Sequence, residues 1–404
     1  MRSGTNNAVV GQSGGPTAVI NQSLVGVVEG FRSGPAASRS VRILGMRHGV
    51  SGLVRGDLLD LTEIPQDALD RVADTPSAAL GSSRDKPDPE YCRRILEACR
   101  ESDVRWFFYV GGNDSADTCR IVRAMAVQAG YDLRCLHVPK TVDNDLLGSD
   151  HTPGFPSAAR FVATAFRADS LDNRSLPGVK INVVMGRNAG FLTGAAALAR
   201  QREDDGPHLI YVPEVPFDSD RFVGDVDRVF SRLGRCQIAV SEGIVDGSGR
   251  PIGATLIQGG QMDAHGNVQL SGSGALGDAL ASLVKDKLTS GRGTAKPPRV
   301  RADTFGYLQR CWPDPSPVDR SEAREAGRFA ARLAAEGAED GSVAIVRTSD
   351  SPYSSTFQRI ELGEVAAQTR RMPAEFLAGA HDVSEAFLRY ARPLVGELQD
   401  MAWL

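Results

Sequence analysis

Short apolar, β-branched runs recur along the chain. Each is closed by a glycine-rich or charged turn, and several are followed by a stretch with helical spacing. Ala8–Val10 leads into Gly11-Gln12-Ser13-Gly14-Gly15 and a helix predicted from Thr17 to Phe31. Val104–Val110 leads into Gly111-Gly112-Asn113-Asp114-Ser115, with a helix predicted from about Ala116 to Gly130. Cys135–Val138 runs into Pro139–Asp145, and Ile181–Val184 into Met185-Gly186-Arg187, with an alanine-rich helix predicted near Gly190–Arg202. Leu209–Val212 ends at Pro213-Glu214, and Gln237–Val240 at Ser241-Glu242-Gly243. Strands alternating with helices imply βαβ units, and therefore parallel sheets covered on both faces. Such sheets bind ligands beyond the carboxyl ends of their strands, where all these clusters fall. Gly34–Ser40 and Gly291–Arg299 read as surface loops, and Trp312–Pro317 as an irregular connection.

The 404 residues leave room for two or three domains at ~150 residues each. Forty-six Lys+Arg against 50 Asp+Glu give a net charge of −4, with no basic block, which argues against a nucleic-acid or anionic-membrane surface. An anion must then be held by local geometry; glycine makes up 43 of the 404 residues, and those in the turns at the strand ends can supply it. The first seven residues carry no apolar run, and no segment approaches the ~18 apolar residues of a membrane span. Six scattered cysteines without a C-x-x-C pair read as reduced thiols, so a cytoplasmic protein is expected.

Ser13-Gly14-Gly15 can cradle a phosphate, because glycine lets backbone N–H groups approach an anion; a tight strand–helix turn would look the same. Gly111–Ser115 repeats that geometry with a carboxylate inside it, which repels phosphate unless a cation intervenes; an Asp or Ser helix cap is the plainer reading. Pro139-Lys140-Thr141-Val142-Asp143-Asn144-Asp145 is the richest run, with two carboxylates, an ammonium, a hydroxyl and an amide at one strand end. A general base and cations around a transferring phosphoryl group call for these residue types, although an Asx-rich turn also uses them. Arg187, Arg301 and Arg310 suit oxygen-rich anions. The six histidines show neither H-x-x-x-H spacing nor a nucleophile pairing, which disfavours zinc or triad chemistry.

In order, these clusters together with Gly81-Ser82-Ser83-Arg84, Pro213–Phe217 and Arg301-Ala302…Gly306-Tyr307-Leu308-Gln309-Arg310 resemble the phosphofructokinase family over nearly the whole chain. The resemblance implies α/β architecture: two Rossmann-like doubly wound domains with the active site in the cleft between them. It assigns residues 1–150 with about 309–345 to the phosphoryl donor, and 151–308 with about 346–404 to the sugar phosphate. Asp143 matches the general base that takes the proton from the sugar 1-hydroxyl. Thr141, Met185, Gly186, Arg187, Glu214, Tyr307 and Arg310 match positions that hold fructose 6-phosphate. Arg301 matches an arginine that reaches the sugar phosphate across a subunit boundary, implying a homodimer or homotetramer. Gly15, Ser83 and Arg84 fall where the donor lies.

Members that use ATP carry glycine where this chain has Asp114 and Lys140, so the pair resembles the pyrophosphate-dependent branch. A carboxylate at Asp114 would stand in the place of a nucleotide α-phosphate, and Lys140 would supply charge to the shorter donor. The implied reaction is Mg²⁺-dependent, reversible phosphoryl transfer from pyrophosphate to fructose 6-phosphate, giving fructose 1,6-bisphosphate. Asn113 stands where many members have an aspartate associated with Mg²⁺, leaving Asn113 and Asp145 as candidate ligands. The residues after Arg310, Cys311-Trp312-Pro313-Asp314, also depart from the family pattern. ATP as donor, another ketose phosphate such as sedoheptulose 7-phosphate as acceptor, and a non-catalytic sugar-phosphate sensor are the alternative readings.

Overall fold

The structure, a computed structural model, describes residues 6–33, 41–85, 88–256, 274–292, 298–338 and 340–403. Gly34–Ser40 and most of Gly291–Arg299 lie outside the described residues. The chain divides into two compact units, Met1–Ser157 with Arg310–Thr369, and Ala158–Gln309 with Arg370–Leu404.

In chain order the elements begin with β1 (Asn7–Gln12), α1 (Ile20–Ser33), β2 (Ile43–Met46), α2 (Val50–Arg55), β3 (Leu58–Asp60), α3 (Gln66–Ala73), α4 (Pro89–Glu101) and β4 (Val104–Gly111). There follow α5 (Asn113–Gln128), β5 (Arg134–Pro139), α6 (Phe155–Ser175), β6 (Val179–Val184), α7 (Phe191–Gly194), β7 (Leu209–Tyr211), α8 (Ser219–Leu233) and β8 (Cys236–Ser241). The last are α9 (Ile252–Leu256), α10 (Ala275–Arg292), β9 (Val300–Thr304), α11 (Pro317–Glu336), β10 (Asp340–Asp350), β11 (Tyr353–Ile360), α12 (Leu362–Val365) and α13 (Glu385–Val395).

The first unit is built on a seven-stranded sheet ordered β11-β10-β5-β4-β1-β2-β3. Its five inner strands run parallel, and antiparallel β11 and β3 close the edges. Alternation along each strand sends neighbouring side chains to opposite faces. Val10, Trp106 and Phe108 pack with α1 and α11, while Val9, Phe107 and Tyr109 pack with α4 and α5. Helices α1 and α11 approach closely: a Cβ on Gly26 would stand 2.0 Å from the Arg324 carbonyl oxygen, and one on Gly327 2.2 Å from that of Ser23. After β1 the sheet grows toward β2, and after β4 toward β5. The order therefore reverses between β1 and β4, the kind of point where such sheets hold ligands.

The second unit has a parallel four-stranded sheet, β7-β8-β6-β9. Its core joins Val179, Ile181 and Val183 of β6 to Phe222 and Val226 of α8 and to Leu280 and Val284 of α10. The C-terminal tail is stapled to this unit by arginines. Arg160 donates to the Val395 and Glu397 carbonyls and Arg167 to that of Gln399, while the Trp403 ring lies 4.1 and 3.7 Å from the guanidinium carbons of Arg174 and Arg202.

Four expectations shift. Residues 346–369, assigned to the second domain, belong to the first unit, because β10 pairs with β5 through Asp340–Ser342 and β11 folds back on β10. Helix α1 begins at Ile20 rather than Thr17, whose hydroxyl instead accepts from the Val19 N–H. Helix α5 begins at Asn113, so the carboxylate of its cluster lies in its first turn. The segment predicted as one helix near Gly190–Arg202 is the single turn α7 and a 3-10 turn over Ala195–Ala199; Gly194 lies where a Cβ would press on Phe387 and Val383. Among the described residues no helix is long and apolar enough to cross a membrane, and all six cysteines are free thiols.

Candidate active site

In the first unit the turns after β1 and β4 meet: the Ser13 and Ser115 hydroxyls are 2.7 Å apart. A third segment joins them. Ser13 forms a parallel bridge with Ser83, the Gly14 N–H donates to the Ser83 carbonyl at 2.8 Å, and the Ser82 hydroxyl donates to the Gly14 carbonyl at 2.6 Å. Gly14 has φ +75°, a conformation glycine takes at little cost, and a Cβ there would come 3.0 Å from the Lys140 amine. A Cβ on Gly15 would lie 2.8 Å from the guanidinium carbon of Arg310. Glycine thus lets two cations lie against the backbone of the turn.

Lys140 is only 4% exposed. Burial, helped by the neighbouring Arg310 charge, pushes its amine down to about 8, against the pull of Asp143 and Asp145; Arg84 adds to the lowering. Its backbone is fixed by the Gly111 carbonyl, which accepts from Lys140 N at 2.9 Å and from His137 Nε2 at 2.9 Å. Burial pushes His137 down to about 4, so the ring is neutral, and its Nδ1 lies 2.7 Å from the Ser342 hydroxyl. This histidine is a buried prop for the turn.

The Thr141 hydroxyl accepts from the Asp143 N–H at 3.1 Å and bonds the Asp145 carboxylate. Between the two aspartates Asn144 takes φ +58°, an uncommon backbone region for a side-chain-bearing residue, and is fully buried. Burial raises Asp145 above the ordinary carboxylate range, and the Asp114 charge raises it further. Helix α5 has Gly112 at its N-cap with no side-chain cap, so neither Asp114 nor Ser115 serves as the cap. The Asn113 amide oxygen accepts from the Asp114 N–H at 2.9 Å, and its nitrogen donates to the Gln368 carbonyl at 3.2 Å. The amide suggested as a metal ligand is thus engaged within the protein, and the Asp145 carboxylate feels the charge of Asp114.

A second cluster lies in the second unit. The Met185 N–H donates to Gln309 Oε1 at 3.2 Å, and the Gly186 carbonyl accepts from the Ser241 hydroxyl at 2.6 Å. A Cβ on Gly243 would lie 1.9 Å from the Arg187 carbonyl oxygen, so glycine there lets the turns after β6 and β8 come together. Glu214 Oε1 accepts from the Gly190 N–H at 3.0 Å and the Met372 N–H at 2.9 Å. Its Oε2 is buried with no hydrogen-bond partner among the described residues, and burial holds the carboxyl above its usual range. Arg301 stands apart on β9, donating to Asp172 at 2.9 Å, and Tyr307 is 49% exposed. Arg310, expected with the sugar-phosphate residues, belongs to the first unit beside Gly15 and Lys140. Gln309 lies within a quoted motif but was given no role there, and nothing in the sequence marked Met372, which acts through its backbone.

A parallel sheet with glycine turns at its switch point, a buried ammonium and neighbouring carboxylates define an α/β protein fitted to hold an oxyanion at its strand ends. Residues 7–334 match the family described as Phosphofructokinase, and the chain belongs to that family. It is 55% identical over 391 residues to the pyrophosphate--fructose 6-phosphate 1-phosphotransferase of Rhodospirillum rubrum, covering 96% of this chain and 94% of that one. It is also 31% identical over 367 residues to a sulfofructose kinase of Alkalicoccus urumqiensis, covering 90% and 89%. The crystal structure of a pyrophosphate-dependent phosphofructokinase from Marinobacter aquaeolei superposes with a TM-score of 0.84 at 32% identity, covering 98% of this chain and 93% of that one.

Proposed function

We propose that the protein transfers a phosphoryl group from pyrophosphate to the 1-hydroxyl of fructose 6-phosphate, releasing phosphate and fructose 1,6-bisphosphate. The observation that carries this reading is the Lys140 amine, buried against the glycine turn with Arg310 beside it and Asp114 in the first turn of the adjoining helix. Two cations in a cradle of small residues suit a compact, highly charged donor, and the Asp114 carboxylate repels the α-phosphate of a longer one.

Asp143 accepts the proton of the sugar 1-hydroxyl as that oxygen forms its bond to phosphorus, while the bond from phosphorus to the bridging oxygen breaks and phosphate departs. Thr141 orders this step by holding the Asp143 N–H and the Asp145 carboxylate. Lys140 and Arg310 neutralise charge on the donor and on the phosphoryl group in transit; Gly15, Ser83 and Arg84 form the rest of the donor side. In the second unit Met185, Gly186, Arg187 and Glu214 receive the sugar phosphate, joined by Tyr307 and by Arg301 from a partner subunit. The unpartnered Glu214 Oε2 suits a sugar hydroxyl.

Among the described residues no three His, Cys, Asp or Glu side chains gather into a metal cage. Mg²⁺ needs none, since it binds through one or two carboxylates plus substrate phosphates and water. Asp145 and Asp114 fit that donor set, because a divalent cation would relieve their mutual repulsion. Bound there, Mg²⁺ would screen the negative charge of the donor.

The test is a steady-state assay of purified protein with Mg²⁺ and fructose 6-phosphate, offering pyrophosphate or ATP. Transfer from pyrophosphate should exceed that from ATP by at least about 100-fold, the scale of losing one preorganised charge contact. Asp114→Gly with Lys140→Gly should narrow that ratio. Transfer from ATP alone would refute the donor assignment.

A further inference from the structure

The loop that carries Thr141, Asp143 and Asp145 rests on a second segment, residues 150–157, which the proposed chemistry does not use. The Thr141 N–H donates to the Pro153 carbonyl at 3.2 Å, and Thr141 forms a parallel bridge with Gly154. On the other side of the loop the Thr152 N–H donates to Asn144 Oδ1 at 3.0 Å. That bond ties the segment to the residue whose left-handed backbone lies between the two aspartates.

The segment is in turn gripped by the start of α11. Asp319 Oδ1 accepts from the Gly154 N–H at 2.9 Å, and its Oδ2 from the Ser157 N–H at 3.0 Å and the Ser157 hydroxyl at 2.5 Å. One turn later Glu322 Oε2 lies 2.5 Å from His151 Nε2, while Asp150 Oδ2 lies 2.8 Å from His151 Nδ1. Both carboxylates have outer partners. Tyr353 and Ser355 hydroxyls donate to Glu322 Oε1 at 2.6 and 2.5 Å, and Arg347 donates to Asp150 at 3.2 Å. His151, Thr152 and Asn144 are wholly buried, and Asp319 nearly so.

We propose that His151, Asp319 and Asn144 are positioning residues, clamping residues 150–157 so that the loop carrying Thr141, Asp143 and Asp145 keeps one height above the strand ends. The proposal rests on the catalytic role given to Asp143. A cation between two carboxylates suits such a clamp: Glu322 ties the ring to α11, while Asp150, its neighbour in sequence, holds the ring's orientation from the other nitrogen. Burial opposes the His151 charge, but the bonds from Asp150 and Glu322 push its pKa up to about 9, so it is an imidazolium at neutral pH. The other charged or titratable groups around it are Asp319, which feels its charge, Arg347 behind Asp150 and Tyr353 behind Glu322. Misplacing a reacting group by about 1 Å costs on the order of 100-fold in rate, so a clamp without substrate contact can still set kcat.

Two variants in the full-length protein test this. Asn144→Gly keeps a residue that tolerates φ +58° but removes the acceptor for Thr152; His151→Gln removes the charge and one of the two ring bonds. Each should lower kcat about 10- to 100-fold while KM for pyrophosphate and for fructose 6-phosphate stays within about threefold. Amide hydrogen exchange of a peptide spanning residues 140–145 should quicken in both variants, with no change in the second unit over residues 179–184. A loss carried by KM alone, or unchanged exchange of the 140–145 peptide in folded variants, would overturn the proposal. The exchange measurement does not depend on activity, so a wild-type protein inert toward pyrophosphate would sink the functional reading and still leave the clamp to be judged.

Discussion

Lys140 shows what burial does to a side chain whose charge the proposed chemistry requires. Its amine, lowered to about 8, is protonated at neutral pH but close to losing its proton. In the proposed chemistry the charged form attracts the donor, so kcat/KM for pyrophosphate should fall as pH rises above about 8, approaching tenfold per unit. That ratio reports the free enzyme, the state the structure describes. Lys140→Arg, which stays charged throughout, should lack this alkaline limb while losing activity through its altered shape. A limb identical in the variant would assign the titration to another group. Lys140 was legible in the sequence because it stands at a strand end within a dense polar run. Its place against Gly14 was not, since more than 120 residues separate them and only the sheet order brings them together.

At the scale of elements, β1, β4, β5, β6, β7 and β8 were readable because each is a short apolar run closed by glycine or charge, and the parallel sheet covered on both faces followed from their alternation with helices. Helix limits and edge strands were less so. Thr17 reads as a helical residue by pattern, yet its hydroxyl serves the turn before α1. Strand β11 is polar along Ser354–Arg359 because it is exposed on alternate positions, which hides it from a search for apolar runs, while β10 has the apolar run Val343–Val346 but no glycine-rich turn after it. The clamp was invisible for a related reason: His151 and Glu322 are 171 positions apart. The contact between α1 and α11 carries its own prediction. Gly26→Ala sets a methyl group against backbone that cannot move aside cheaply, so it should lower unfolding stability by about 1–3 kcal/mol, read as a lower denaturant midpoint. An unchanged midpoint would mean that the helices slide apart at no cost.

At the scale of the whole molecule, the role of Arg301 decides whether a second chain completes the site. Arg301 is held by Asp172 in the protomer, whereas the family resemblance gives it to a neighbour's sugar phosphate. If it acts in trans, Asp143→Ala and Arg301→Ala proteins, each nearly inactive, should regain activity when unfolded together and refolded as mixed oligomers. In a hybrid pair both defects then fall in the same site, leaving the other site intact. No recovery in a mixture shown by mass spectrometry to contain hybrids would confine Arg301 to its own subunit.

The interleaved order of the two units bears on how the protein is made. Strand β5 acquires its outer neighbour only from residues 340–342, after the whole of the sheet around β6 has left the ribosome. Until then the growing chain presents an unpaired parallel edge, the surface most prone to aberrant pairing with other nascent strands. Truncated translation products ending before β10 should therefore be the form in which this protein is most apt to aggregate, even though much of the proposed catalytic loop has already been synthesised.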